Sequence, residues 1–158
     1  MMGNAVKRGA VILASVFLFA ACGGDKATSM TLRVAGSPTR RATEACSFLI
    51  RARIVGGGTQ TTCLTKIDGF PDSGATTRSQ GSMAFALPHG TIRARVSIKQ
   101  QFARDGVHAH QTLRGPVVGG TGSYRQARGT VSGTGTVADR ALSLGPVKLR
   151  YTLVLRRR

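Results

Sequence analysis

Apolar and polar side chains alternate along almost the whole chain, and outside the N-terminal apolar run no segment carries a helical stripe of apolar positions. Successive residues of a strand point to opposite faces of a sheet, so this period admits half-buried strands and excludes a helix bundle. Thr91 to Lys99 is the clearest case. Ile92, Ala94, Val96 and Ile98 share one face, and Arg93, Arg95, Ser97 and Lys99 the other. From 46 to 54, Cys46, Phe48, Ile50, Ala52 and Ile54 oppose Ser47, Arg51 and Arg53, and near the C-terminus Leu149, Tyr151 and Leu153 oppose Lys148, Arg150 and Thr152. Leu87-Pro88-His89-Gly90 reads as the turn of a hairpin, with proline presetting φ and glycine accepting a left-handed conformation. Further strand-like runs at Thr31–Val34, Thr61–Ile67, Met83–Leu87, His108–Val118 and Thr130–Ala138 bring the total to eight. Turn signals between them have the spacing of an all-β sandwich or barrel, and long strands with glycine-rich corners favour closure, which removes exposed edges.

The segment Val117 to Val131 joins two of these runs through the pattern G-G-T-G-x-Y-x-x-A-x-G-T, carried by Gly119, Gly120, Gly122, Tyr124, Ala127 and Gly129. The glycines permit a sharp corner, and Tyr124 and Ala127 would share one face of a single helical turn. This corner resembles the signature turn of the barrel superfamily that contains the allene oxide cyclases and dirigent proteins, including its bacterial allene oxide cyclase barrel-like members. The hairpin from Met83 to Ile98 is similar to one in those bacterial proteins, and residues 44 to 155 are compatible with the resemblance. It implies an eight-stranded antiparallel β-barrel around an apolar cavity, trimeric in many plant relatives. The activities it implies are the steering of cyclisation or coupling of a reactive small molecule. No catalytic residue of the family matches a position here, so none is carried over.

The N-terminus carries Lys7 and Arg8 followed by an apolar run from Ala10 to Ala21, too short for a lasting membrane-spanning helix, which needs about 20 residues. Residues 1–21 therefore read as a signal peptide. Leu18-Phe19-Ala20-Ala21 before Cys22 resembles a bacterial lipoprotein cleavage box, with Phe19 departing from the usual aliphatic residue. The expectation is lipidation at Cys22, a flexible tether over 22–29 and one domain over 30–158. The protein would then be extracytoplasmic and held to a bacterial membrane, with ordinary secretion as the alternative. Cys46 and Cys63 then form an even pair, a disulfide candidate in an exported chain. A two-residue turn at Gly56-Gly57 would place Cys63 opposite Ile50. The bond therefore requires a bulge, a different turn centre or non-neighbouring strands.

Lys and Arg number 23 against 6 Asp and Glu, a formal net charge of +17. Such a surface repels its own kind and attracts polyanions. Arg51, Arg53, Arg93, Arg95, Lys99, Lys148 and Arg150 are the candidate anion-binding residues on the polar faces. Nucleic acid is disfavoured because this face lacks aromatic stacking platforms; anionic cell-envelope polymers or lipid headgroups fit better. A lipid-spanning barrel would bury the cations in a narrow lumen and lacks aromatic girdles.

Glu44, Phe48, Ile50, Ile92, Val96, Ile98, Leu149, Tyr151 and Leu153 are the candidates for lining a cavity, with Glu44 the one acid placed there by parity. The aspartates, among them Asp68, Asp105 and Asp139, read as turn residues bonded to nearby backbone. His108 and His110 project from one strand face, half of a metal site, but no spacing selects a third ligand from His89 or Asp105, and no metal or cofactor is assigned. No nucleophile–base–acid set emerges, and the Gly119–Gly122 run lacks the Lys-Ser/Thr ending of a phosphate loop. The functional expectation is a non-catalytic binding or scaffold module for a small apolar ligand. A surface binder of anionic polymers and a cyclase-like or dirigent-like steering activity are the alternatives.

Overall fold

The structure is a computed structural model that describes residues 27–140 and 143–157. The signal peptide at 1–21, lipidation at Cys22 and most of the 22–29 tether lie outside the described residues. Nine strands form a single antiparallel sheet: β1 (Thr28–Gly36), β2 (Thr39–Arg41), β3 (Phe48–Arg53), β4 (Thr59–Asp68), β5 (Thr76–Leu87), β6 (Gly90–Phe102), β7 (His108–Gly120), β8 (Ala127–Arg140) and β9 (Ser143–Arg157). Their order is β1-β9-β8-β7-β6-β5-β4-β3-β2. The expectation of eight strands is corrected to nine. The extra one, Thr39-Arg40-Arg41, has no apolar alternation to announce it and exists because it pairs with Leu49–Arg51 of β3.

The sheet curls until β1 approaches β3, and a single bridge, Val34 with Ile54, joins them, supported by the Val55 N–H donating to the Arg33 carbonyl at 2.8 Å. The expected closed barrel is therefore a curled sheet stitched at one end of its seam. Towards the other end β2 lies in the seam, and the sheet opens into a mouth.

Alternation puts the apolar faces inside. Tyr151, Phe85, Ile92, Leu153, Val34 and Val131 are the largest fully buried side chains. The end away from the mouth is filled by buried apolar side chains, among them Ile92, Val117, Ala127 and Leu155. There the β7–β8 corner makes its single helical turn at Gly122–Tyr124 and docks on the β5–β6 hairpin through Ser123 N–H to the His89 carbonyl (2.9 Å) and Thr121 N–H to the Thr91 carbonyl (2.8 Å). Tyr124 is half-buried against the core, and Ala127, buried, is already the first residue of β8. Gly129 shows why the corner needs glycine: its φ is +142° and a Cβ would lie 1.8 Å from the Val154 carbonyl oxygen on β9.

Cys46 and Cys63 are disulfide-bonded, with Cα atoms 5.2 Å apart. The turn centre decides this. Arg53 pairs with Thr59 and Leu49 with Cys63, so the β3–β4 turn is centred on Gly56 and Cys63 is one position closer to Cys46 than a Gly56-Gly57 turn would allow. The bend at Glu44 and Ala45, held by Thr43 N–H to the Cys46 carbonyl at 3.0 Å, then brings Cys46 back over β4. Replacing both cysteines with serine should lower stability by about 3 kcal/mol on the chain-entropy scale for a loop of this length. Urea unfolding checks it; an unchanged midpoint rules out a stabilising role for the bond.

Candidate functional site

A cavity of about 480 Å³ opens at the mouth, within the range of small-molecule sites. One wall is apolar: Phe48 and Ile50 from β3, Met83 from β5, Ile98 from β6, and Leu149 and Tyr151 from β9. The other is a band of neutral polar side chains on four consecutive strands. Gln60 and Thr62 come from β4, Thr77 and Ser79 from β5, Gln100 from β6 and Gln111 from β7. They face inward because they occupy the same parity as Leu64, Met83, Ile98 and Leu113 on their strands.

Burying such groups requires partners. Gln60 Nε2 donates to Thr62 Oγ1. Thr77 Oγ1 donates to Gln100 Oε1 at 3.1 Å, and Gln100 Nε2 donates to Gln111 Oε1 at 3.2 Å. No fully enclosed side-chain polar atom among the described residues lacks a partner. The relay still leaves capacity at the cavity surface: Ser79 Oγ, the Gln111 amide nitrogen and the Tyr151 hydroxyl have no hydrogen-bond partner among the described residues. Burial alone pushes the Tyr151 phenol upward, so it stays protonated and can donate.

At the mouth Arg40 Nη1 donates to Asp139 Oδ1 at 2.8 Å, with both side chains only 11% exposed. The Arg40 guanidinium also lies 4.8 Å from the centre of the Phe48 ring. Burial raises the Asp139 carboxyl above its ordinary range, and the opposing pull of Arg40 does not overcome it. Asp139 keeps the inward parity of Val137 on β8, and the bulge lies opposite it on β9, where the register passes from Val137–Val147 to Asp139–Leu144. Phe70 and Ile67 project at the rim, with Phe70 85% exposed.

Of the residues singled out in the sequence, Phe48, Ile50, Ile98, Leu149 and Tyr151 line the cavity. Ile92, Val96 and Leu153 do not; they are buried in the core away from the cavity lining. Glu44 is corrected outright. It is exposed on the bend before β3, because the chain leaves its extended path there and strand parity no longer applies. Arg51, Arg53, Arg93, Arg95, Lys99, Lys148 and Arg150 are all exposed on the outer face. Gly119, Gly120, Gly122, Tyr124, Ala127 and Gly129 form the corner at the packed end, remote from the mouth. His108 and His110 are exposed on the same outer face; His108 Nδ1 contacts Asp105 Oδ2 and His110 contacts Thr134 Oγ1. That His108 contact, with backbone N–H groups of Val107 and His108, holds the Asp105 carboxyl down at about 2. Among the described residues no three metal-ligating side chains cluster.

The sequence reading assigned Asp139 to a turn and passed over Arg40 and the glutamine–threonine band. The signal for Asp139 was present: it continues the odd-numbered face of Val131 and Val137, one residue beyond where the strand was ended. Arg40 carried none, since only pairing makes its segment a strand.

No protein-family model matches the chain, and no curated protein is significantly similar to it. Among solved structures it is similar to a pterocarpan synthase dirigent protein at 13% identity and a TM-score of 0.35, covering 87% of this chain and 88% of that one.

Proposed function

We propose that this protein is a non-catalytic binding module for a small, mostly apolar molecule bearing neutral hydroxyl or carbonyl groups. The observation that carries the reading is the division of the cavity into an oily wall and a band of neutral hydrogen-bonding groups with capacity left over at Ser79, Gln111 and Tyr151. The ligand's apolar body would lie against Phe48, Ile50 and Leu149, and its polar groups would meet the band. The charged pair at the mouth is already compensated, so a ligand with a net charge gains nothing from it and loses its own hydration. We place the protein outside the cytoplasm, held to a bacterial membrane through lipid on Cys22. The Cys46–Cys63 disulfide is compatible with that compartment.

The test is binding of the neutral fluorophore N-phenyl-1-naphthylamine, with native mass spectrometry to count bound molecules. One molecule per chain with enhanced emission is expected. Ala52, small and at the cavity wall, is the place to close the space: Ala52→Phe should weaken dye binding by about tenfold or more. Absence of binding to the unmodified chain, or undiminished binding to the phenylalanine variant, sinks the proposal.

A steering role in small-molecule chemistry is the second reading, favoured by the one acid within the cavity lining being Asp139 at its mouth. Asp139→Asn separates the two. A binding module keeps its dye affinity and releases ligands unchanged, whereas a steering site requires turnover that the asparagine abolishes.

A further inference from the structure

The two ends of the curled sheet carry different charge. Every described carboxylate lies at the mouth end: Glu44 on the β2–β3 connection, Asp68 at the end of β4, Asp72 and Asp105 in the adjoining loops, and Asp139 at the end of β8. Among the described residues the packed end has none. It carries Arg53 beside the β3–β4 turn, Arg93 beside the β5–β6 turn, Arg125 and Arg128 at the β7–β8 corner, and Arg156 at the end of β9. All five are exposed, and none forms an ion pair with a described residue. Arg128 and Arg156 face each other in register across β8 and β9, an arrangement of like charges that destabilises a sheet. Two exposed aliphatic side chains stand among these cations, Val55 at 61% exposure in the β3–β4 turn and Val118 at 42% near the end of β7.

We infer that the packed end is a docking face for an anionic lipid bilayer. A planar array of headgroup phosphates would neutralise the facing arginines, and the two valines would enter the interfacial layer between them. Each basic side chain near such a surface strengthens attachment, and a molecule charged at one end is also oriented by the field. The opposite end is the weaker partner for this surface despite Phe70, because its cations, among them Arg41, Lys66, Arg78 and Arg104, are offset by the carboxylates there. β1 starts at the packed end, where Thr28 pairs with Leu155. In this orientation the cavity mouth looks away from the membrane. The inference concerns a surface remote from the cavity and does not depend on the proposed ligand.

The full chain contains no tryptophan, so one introduced residue reports position without background. Val118→Trp and Phe70→Trp chains are each mixed with phosphatidylcholine vesicles carrying a brominated lipid quencher, with and without phosphatidylglycerol. Val118→Trp should be quenched at a lipid concentration about tenfold or more lower on the anionic vesicles, while Phe70→Trp stays unquenched. Adding R93Q, R125Q, R128Q and R156Q to the Val118→Trp chain should abolish that preference. Raised salt should abolish it in the unaltered arginine background, which keeps the test decisive if the multiple variant folds poorly. Quenching of Phe70→Trp in place of Val118→Trp, equal quenching on neutral vesicles, or quenching insensitive to salt overturns the inference. So does attachment to soluble polyphosphate without any quenching on vesicles.

Discussion

Methionine in place of Arg40 is expected to lower stability at pH 7 by about 3–5 kcal/mol, the usual effect of stranding one charge of a buried pair. Asp139 is 11% exposed at the side chain and its Arg40 hydrogen bond spans 2.8 Å, so removing the guanidinium leaves a largely buried carboxylate without its partner. The loss should depend on pH in a definite direction. The folded-state carboxyl of Asp139 is raised above its ordinary value of 3.8. A group raised in the fold binds its proton more tightly there than in the unfolded chain. Its contribution is therefore complete below the unfolded value and is lost as pH rises through the folded one. Removing Arg40 raises the folded value further and deepens that loss, so the variant should come closest to the parent protein near pH 4 and fall away from it towards neutrality. Part of the deficit persists at every pH, because the guanidinium also packs on Phe48. Asp139→Asn should flatten the profile, and the double replacement R40M with D139L should recover most of the stability lost by R40M alone. Urea unfolding at several pH values measures all four. A deficit in R40M that is the same at pH 4 and pH 7 means that Asp139 is not the stranded group.

Phe85→Ala should cost about 3–5 kcal/mol with little dependence on pH. Phe85 has no exposed surface, and its ring stands edge-on to Tyr151 with centroids 5.3 Å apart and planes at 67°. Neither neighbour can move into the gap. Tyr151 is confined by β8, where even a Cβ on Gly133 would come within 2.6 Å of its ring, and the backbone of β5 is paired on both sides. The void therefore persists, and its lining loses contacts that no other atoms supply. Phe85→Leu, which keeps more of the volume, should lose less than half as much. Unfolding midpoints of the two variants decide it. Equal small losses would show that this part of the core relaxes, contrary to the close packing seen around Tyr151.

Much of this architecture was legible before any coordinates. A period of two needs only local chemistry: each strand sorts its side chains by face, so Ile92, Val96 and Leu153 had to be inside and Arg93, Arg95 and Lys148 outside wherever the strands went. The hairpin turn at Pro88-His89 and the glycine corner before β8 were readable for the same reason, since φ preferences belong to single residues. Parity failed at Glu44, where the chain bends and the disulfide takes over, and it was ended one residue too soon at Asp139. It had no purchase at all on Arg40, because a three-residue strand without an apolar face exists only when a neighbour pairs with it.

The sequence alone determined that this chain would fold as antiparallel sheet with an oily interior and a cationic exterior, because those properties are set residue by residue. Tertiary structure alone decided that the seam is stitched by one bridge, that an arginine and an aspartate separated by 99 positions meet at a mouth, and that one part of the interior is filled by side chains while another encloses a cavity. Those outcomes follow from sheet curvature and register, which sum small twists and three register shifts over nine strands, and no single residue encodes such a sum.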